Sequence, residues 1–323
     1  GLTIATLGEG TSHSKFAKES IEGLATQSPL TALNTAFAVD AVDIEIAADT
    51  VLNAPIYVAW LNTCHEINVY PRCLLSIGQN ARATVIEHYL SKGPAFSNAI
   101  TRIACDASAQ LEYTKLQDED PAAHHIASQR ALLAADSRLE LNHLDLGAEM
   151  ARNDLSVELL GGGAAAATNG LFLADGERHL DNHVYLRHLS PHTSSTTNFR
   201  GVMSDSSKGV FNGSIFVEKD AQKTDAQLSN HNLLLSSLAE INTKPELEIY
   251  ADDVKCAHGA TTGRLDKNAL FYLLARGIPY SQAEKMLIAA FAEAITSNIN
   301  VDAVSERVHR AVNNRLGDRE EAQ

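Results

Sequence analysis

Ala81-Arg-Ala-Thr-Val-Ile-Glu-His88, Ala109-Gln-Leu-Glu-Tyr-Thr-Lys-Leu116 and Ser137-Arg-Leu-Glu-Leu-Asn-His-Leu144 begin 28 residues apart. Each follows a turn signal, Gly78-Gln-Asn80, Asp106-Ala-Ser108 or Ala134-Ala-Asp136, and each opens with a small residue ahead of an alternating strand. A fourth small position, Ala165, falls in the same register behind Gly161-Gly-Gly163. Self-similarity at a period of roughly 20–50 residues marks a solenoid or a propeller. Propeller blades need about 40 residues or more and bring aromatic signatures, whereas aromatics make up only 6% of this chain. Short strands, small residues at corners and no helical stripe between them point to a mainly β fold. The expected form is a β-helix filled by ladders of Val, Ile, Leu and Ala, with a β-sandwich as the second choice.

Upstream, Val39 to Ile46 alternates apolar and acidic residues as a half-buried strand does, and Pro55 to Trp60 is a strand apolar on both faces. Ile67–Tyr70 and Cys73–Ile77 follow, each ended by a Pro, Gly or Asn signal. Residues 1–30 carry Gly8, Gly10 and many Ser and Thr; they read as a poorly ordered lead-in, with Lys15 to Leu24 a short helix. Downstream, Asn169-Gly and Asn212-Gly each precede an apolar strand, and Leu233–Leu235 and Leu247–Tyr250 continue the series.

From Asp266 the period becomes helical. Asp266 is the expected N-cap of a helix carrying Leu270, Phe271, Leu273 and Leu274, which stops near Gly277 and Pro279. Ser281 and Glu284 make a capping box for a second, bearing Met286, Leu287, Ala290, Phe291 and Ile295. Asp302 starts a third, with Val304, Val308, Val312 and Leu316. The expected division is therefore residues 1–30 as lead-in, 31–263 as β-helix core and 264–323 as a C-terminal helical subdomain that closes the open end of the solenoid.

Acidic residues outnumber basic ones, 40 to 26, and the formal net charge of −14 argues against nucleic acid or an anionic membrane as main partner. No apolar run approaches the roughly 18–20 residues that a membrane span needs. Cys64, Cys73, Cys105 and Cys256 have no CxxC spacing, and with no signal peptide in view they read as reduced thiols of a cytoplasmic protein. The chain starts at Gly1 rather than Met, and we expect a fragment or a processed form.

Within Ala251–Gly263, ADDVKCAHGATTG, Cys256 and His258 stand two apart. In an extended segment they project from one face, and a thiol beside an imidazole suits iron, zinc or copper. The plainer alternative is a loop cysteine and a solvated histidine, since two ligands do not make a metal site. His179, His183, His188 and His192 form a run around Asp181 and Asn182. On a helix such spacing would grip zinc, but no helical stripe accompanies it and Pro191 breaks any helix. Strand and turn fit better, which leaves His179, His183 and His192 as weak metal candidates. His124-His125, behind Asp118-Glu-Asp-Pro121, reads as a solvated acidic turn. Asp252-Asp253 are paired carboxylates without a nucleophile elbow, a phosphate loop or HExxH, and alanines rather than Lys-Ser/Thr follow Gly161-Gly-Gly163. No acid–base–nucleophile set emerges, so the chain reads as a non-enzyme.

Longer motifs add a resemblance. Gly209-Val-Phe-Asn-Gly-Ser-Ile-Phe-Val217, Asp220-Ala-Gln-Lys-Thr224, Asn230-His-Asn-Leu-Leu-Leu-Ser236 and Pro245 to Gly263 resemble the SufB/SufD family of iron–sulfur cluster assembly proteins. His179-Leu-Asp-Asn-His183, Pro191-His192 and Asn34-Thr-Ala-Phe37 are similar to the same family, and the Cys256-Ala-His258 context resembles its SufD branch. The resemblance implies a right-handed parallel β-helix, preceded in family members by a helical region that is missing or curtailed here. It implies that the C-terminal helices dock the ATPase SufC, through Phe271, Leu274, Met286 and Phe291. It also implies a β-helix heterodimer with SufB and a transient iron–sulfur cluster shared with SufB in place of a tightly bound cofactor. A β-helix isolated from that partner could pair with itself as a homodimer, and the sequence leaves monomer and homodimer both open. His258 matches the histidine at that interface, with Cys256 its neighbour. The chain would then be a non-catalytic scaffold subunit. The alternatives are a purely structural β-helix, a metal store on the His179–His192 run, and a carbohydrate-active β-helix enzyme, which the low aromatic content disfavours.

Overall fold

The computed structural model describes residues 1–6, 28–39, 41–64 and 67–315. Its strands are β1 (Leu2–Thr6), β2 (Val42–Ile46), β3 (Ile56–Asn62), β4 (Ile67–Val69), β5 (Arg72–Ile77), β6 (Arg82–Ser91), β7 (Ala95–Cys105), β8 (Gln110–Gln117), β9 (His124–Leu133), β10 (Arg138–Asp145), β11 (Met150–Leu159), β12 (Ala165–Ala174), β13 (His179–His188), β14 (Ser194–Met203), β15 (Lys208–Val217), β16 (Asp225–Leu234), β17 (Glu240–Ile249) and β18 (Lys255–Gly263). The helices are α1 (Pro29–Phe37), α2 (Lys267–Leu274), α3 (Tyr280–Thr296) and α4 (Asp302–Arg315).

From β6 onward, successive strands alternate between two parallel sheets. Sheet A runs β2-β5-β7-β9-β11-β13-β15-β17, with β1 added antiparallel at its start and β4 beside β7. Sheet B runs β3-β6-β8-β10-β12-β14-β16-β18. The result is the expected parallel β-helix, of about eight turns. Arg82 pairs with Gln110 and Gln110 with Arg138, which is the repeat read from sequence. Arg138 then faces Ala165, one residue short of the period, so the fourth corner residue is Ala164 rather than Ala165.

Corner chemistry explains the repeat. Ala81, Ala109, Ser137, Ala164, Thr193 and Thr224 are buried immediately ahead of the sheet B strands. The residue before each takes a left-handed conformation: Asn80 (φ 57°), Ser108 (60°), Asp136 (59°), Gly163 (75°), His192 (60°) and Lys223 (64°). Short polar residues and glycine tolerate that region best. The turns also bond from coil to coil, Asn80 N–H to Ala107 O, Ser108 to Ala135 and Asp136 to Gly162.

Alternate residues face inward to one continuous core. In its later coils Phe172, Phe199 and Phe211 fill the lumen, and Gly170 and Gly201 leave them room. A Cβ on Gly170 would lie 2.2 Å from the Phe199 ring. The earlier coils depart from the expected aliphatic ladders, as described below.

The helices do not close the solenoid. Ile288, Ala292, Ile295, Ile299, Val304, Val308 and Val312 of α3, α4 and the turn between them pack against Ile86, Leu116, Leu144, Leu171 and Val202, on the outer face of sheet B. Leu116, Leu144 and Leu171 share one register row, an outward apolar stripe that only a covering element can bury. Each such side chain contributes about 1.5–3 kcal/mol when buried, so the flank is the stable seat, and none of the described helices covers the end of the solenoid. Asp266 caps α2 by accepting from Asn268 N–H at 2.8 Å, as expected. The Ser281/Glu284 box does not form, because α3 already starts at Tyr280, behind Pro279 and without a side-chain cap.

In the lead-in, Leu2–Thr6 is a strand on β2 rather than loose chain. The Lys15–Leu24 helix, Leu316 and the terminal tail lie outside the described residues. Asn34 pins α1 to sheet A, donating to Asn98 O at 2.6 Å and accepting from Arg72 Nε at 2.6 Å.

Candidate functional site

β17 and β18 form the last coil, and among the described residues each is paired on one side only. Residues of a parallel strand alternate in the neighbour their backbone groups address. Glu240 and Tyr250 donate back to Ser207 and Val217, so the even residues of β17 face β15 and the odd ones face the open edge. Pro245, which has no N–H to offer, sits at an odd position. Lys255 likewise donates back to Thr224, which turns the backbone groups of Cys256, His258, Ala260 and Thr262 toward the open edge.

Their side chains continue the inward rows. Cys256 pairs in register with Ala226 and His258 with Leu228, both buried core residues. Cys256 is half-buried against that core, while His258 has no coil beyond it and is exposed. The two therefore stand side by side on the rim of the lumen, as their spacing implied. Burial pushes the Cys256 thiol up; a bond from the Ala226 backbone opposes this and Asp225 reinforces it. The sulfur is thus a neutral thiol at neutral pH. Among the described residues no three His, Cys, Asp or Glu side chains come together as a metal site. The rim offers two donors, and any further ligand has to come from outside the described chain.

The other histidines are dispersed. His179 and His183 point outward from sheet A, four residues and so about 13 Å apart along β13. His183 pairs with Asp181 at 2.9 Å. His188 faces inward, buried between Thr193 Oγ1 and Ser195 Oγ, each at 2.8 Å. His192 occupies a left-handed corner, and its N–H is bonded to Gln222 O. The weak metal candidates do not converge.

His125 corrects the sequence reading most. It is fully buried, not solvated, and its Nδ1 lies 2.7 Å from Glu119. It belongs to a polar interior that fills the first half of the lumen. Glu87, Lys115 and His143 occupy one inward register column, and Tyr89, Gln117 and Asp145 the next. Glu87 accepts from Trp60, Tyr89, Thr101 and Tyr113. Lys115 donates to Asn153 at 2.5 Å, Asn153 to Asp145 at 3.0 Å, and His143 lies 3.1 Å from Asp145. Burial lowers Lys115 to about 8, against the pull of Asp145, Glu119 and Glu87. Burial alone would raise Glu119, but His125, Ser97 and Gln117 outweigh it and bring the carboxyl to about 2. Burial also holds His125 and His143 below the usual imidazole value. The signal was present in the sequence: Glu87, Lys115 and His143 recur at the repeat spacing, at inward parity.

On the helical flank, α2 buries none of its residues, and Phe271, Leu274 and, on α3, Met286 are exposed. Phe291 is placed differently: it is partly buried against the flank core, with the Arg200 guanidinium 4.7 Å over its ring. All four cysteines are free thiols. No helix among the described residues is long and apolar enough to cross a membrane.

A two-sheet β-helix with one open coil and a helix pair along its flank defines a protein whose free surfaces are edges and an apolar arm. Residues 60–291 match the family described as SUF system FeS cluster assembly, SufBD core domain, and the chain belongs to that family. It is 38% identical over 258 residues to the iron–sulfur cluster assembly protein SufD of Escherichia coli, covering 79% of this chain and 60% of that protein. An iron–sulfur cluster assembly SufBD family protein of Synechocystis is 32% identical over 292 residues, 87% of this chain and 64% of the relative. The SufD protein of Bacillus subtilis is 25% identical over 285 residues, 86% and 65% respectively. The chain thus spans a little under two thirds of these relatives.

Proposed function

We propose that this chain is a non-catalytic scaffold subunit in iron–sulfur cluster assembly, pairing with a SufB-type partner through its open coil and docking a SufC-type ATPase on its helical flank. The observation that carries the reading is the unpaired last coil. Two parallel edges of free backbone groups, around a lumen still lined by Ile241, Leu247 and Cys256, offer a template for a second β-helix. A pairing there would place Cys256 and His258 in the seam. The nascent cluster would be shared cargo in that seam: a neutral imidazole can ligate iron, and a partner would complete the ligand set that this rim leaves short. Membership of the SUF family and the names of its relatives support this role.

A second reading follows from Cys256 itself. A half-buried thiol pushed up by its surroundings is a poor ligand and a poor sulfur acceptor, which favours a purely architectural chain.

Co-expression with SufB and SufC partners tests the surfaces. Ala260→Pro deletes an outward N–H of β18 without touching the ladder to β16. It should lose the SufB-type partner and keep the ATPase, whereas Phe271→Asp should do the reverse. Retention of both partners by both variants would refute the assignment of these surfaces.

A further inference from the structure

Beside the open coil, between the outer face of sheet B and α3, lies a cleft of about 320 Å³ lined by Arg200, His231, Thr261, Thr262, Arg264 and Phe291 among others. Arg200, His231 and Thr261 continue the register row whose earlier members, Leu116, Leu144 and Leu171, lie under the helices. Where the helical cover ends, the row turns from leucine to hydrogen-bond donors. No Asp or Glu lines the cleft.

The chain as a whole carries a net charge of −14. Arg130, Arg152, Arg178, Arg187 and Arg307 each reach a carboxylate within 4 Å. Among the described residues, Arg200 and Arg264 reach none, as is also true of Arg72, Arg82, Arg138 and Arg276; what sets the first two apart is that they share one cleft. Arg200 is nonetheless held in place: one terminal nitrogen donates to Phe291 O at 2.9 Å, and its plane lies over the Phe291 ring. Its Nε is buried with no hydrogen-bond partner. A buried charged donor without an acceptor is costly, and a fixed guanidinium is suited to a planar oxyanion. His231 Nδ1 lies 2.7 Å from Thr261 Oγ1; when that nitrogen accepts from the hydroxyl, Nε2 carries the proton and can donate to the same ligand.

We infer that this cleft receives a carboxylate side chain of the protein that covers α2, so that the partner's docking face is an apolar patch bordered by an Asp or Glu. Arg264 lies three residues before α2, whose Phe271 is 71% exposed and Tyr272 57%, so the cationic cleft and the apolar arm are neighbours along the chain. The cleft has room for one acidic head group and is open to solvent, as an insertion from a docked neighbour requires. The inference rests on the proposal that a SufC-type ATPase docks on the helical flank.

Two measurements test it. With sodium acetate as probe, the Arg200 Nε–H resonance of the ¹⁵N-labelled chain should shift saturably, and Arg264→Gln should weaken the response; no shift overturns the inference. With the SufC-type ATPase, Arg264→Gln, at an exposed position, and Arg200→Gln should each raise Kd by roughly tenfold and flatten its dependence on salt, while the uncharged Phe271→Ala should weaken binding without changing that dependence. If Phe271→Ala weakens binding but Arg264→Gln alters neither Kd nor salt response, the carboxylate inference fails and the docking reading stands. If Phe271→Ala has no effect, the docking reading fails and takes this inference with it.

Discussion

Replacing Glu87 by alanine should cost about 4–6 kcal/mol, because one carboxylate organises the polar half of the lumen. Glu87 is fully buried and accepts from Trp60 Nε1 at 2.8 Å, Tyr89 OH at 2.6 Å, Thr101 Oγ1 at 2.8 Å and Tyr113 OH. Truncation removes both oxygens and strands all four donors. At about 1–3 kcal/mol for each, simple addition spans about 4–12 kcal/mol. Trp60 is half-buried, the hydroxyls can rotate, and a water can enter the vacated polar space, so the lower part of that range applies. Such a loss is a large share of the roughly 5–15 kcal/mol that holds a domain together. Glu87→Gln keeps the volume and one acceptor oxygen, and should cost about 1–3 kcal/mol. Trp60 is the only tryptophan in the chain, so urea unfolding followed by indole fluorescence reports both stability and the missing bond. A loss under about 1 kcal/mol for Glu87→Ala, with native emission unchanged, would refute the reasoning.

Other consequences follow from packing and protonation. Gly170→Ala forces a methyl against the Phe199 ring, and the overpacked core should lose about 1–3 kcal/mol, read as a lower Tm. Stability should fall in two stages on acidification. Burial lowers His188 to about 4, so the unfolded chain takes up that proton first, and stability declines as pH drops from about 6.5 toward 4. Glu119, lowered to about 2, adds a loss that begins as pH falls through about 4.5 and is complete near 2. Urea midpoints across pH 4–7.5 check the first stage, which His188→Asn should diminish. Alkylation mapped by mass spectrometry should label exposed Cys64 first and Cys256 slowly, faster above neutral pH, while Cys73 and Cys105 stay protected until unfolding.

The solenoid was legible because its determinants are local. A left-handed corner, a small buried residue and an alternating strand recur at a fixed spacing, and Asn80, Ser108 and Asp136 carry the signal openly. The register slip at Ala164 was not legible, since a coil one residue shorter still presents an alanine at the expected place. The seat of the helices was less evident than their existence. It depends on the outward Leu116–Leu144–Leu171 row, whose face emerges only once inward parity is assigned. The same assignment would have exposed Glu87, Lys115 and His143 as an inward column, and His125 as buried, where its neighbours in sequence suggest a wet turn. Cys256 and His258 sharing a face followed from their spacing. Their place on a rim did not, because it is set by β18 being the last described strand of its sheet rather than by residues near them.

The most direct test of the account is cluster assembly by the co-expressed complex under anaerobic conditions, comparing His258→Ala with the unaltered chain. Visible absorbance and bound iron and sulfide are read on complexes shown to be intact. The account predicts an intact complex that fails to accumulate cluster. A normal cluster on the His258→Ala complex would contradict it and leave the chain an architectural partner alone.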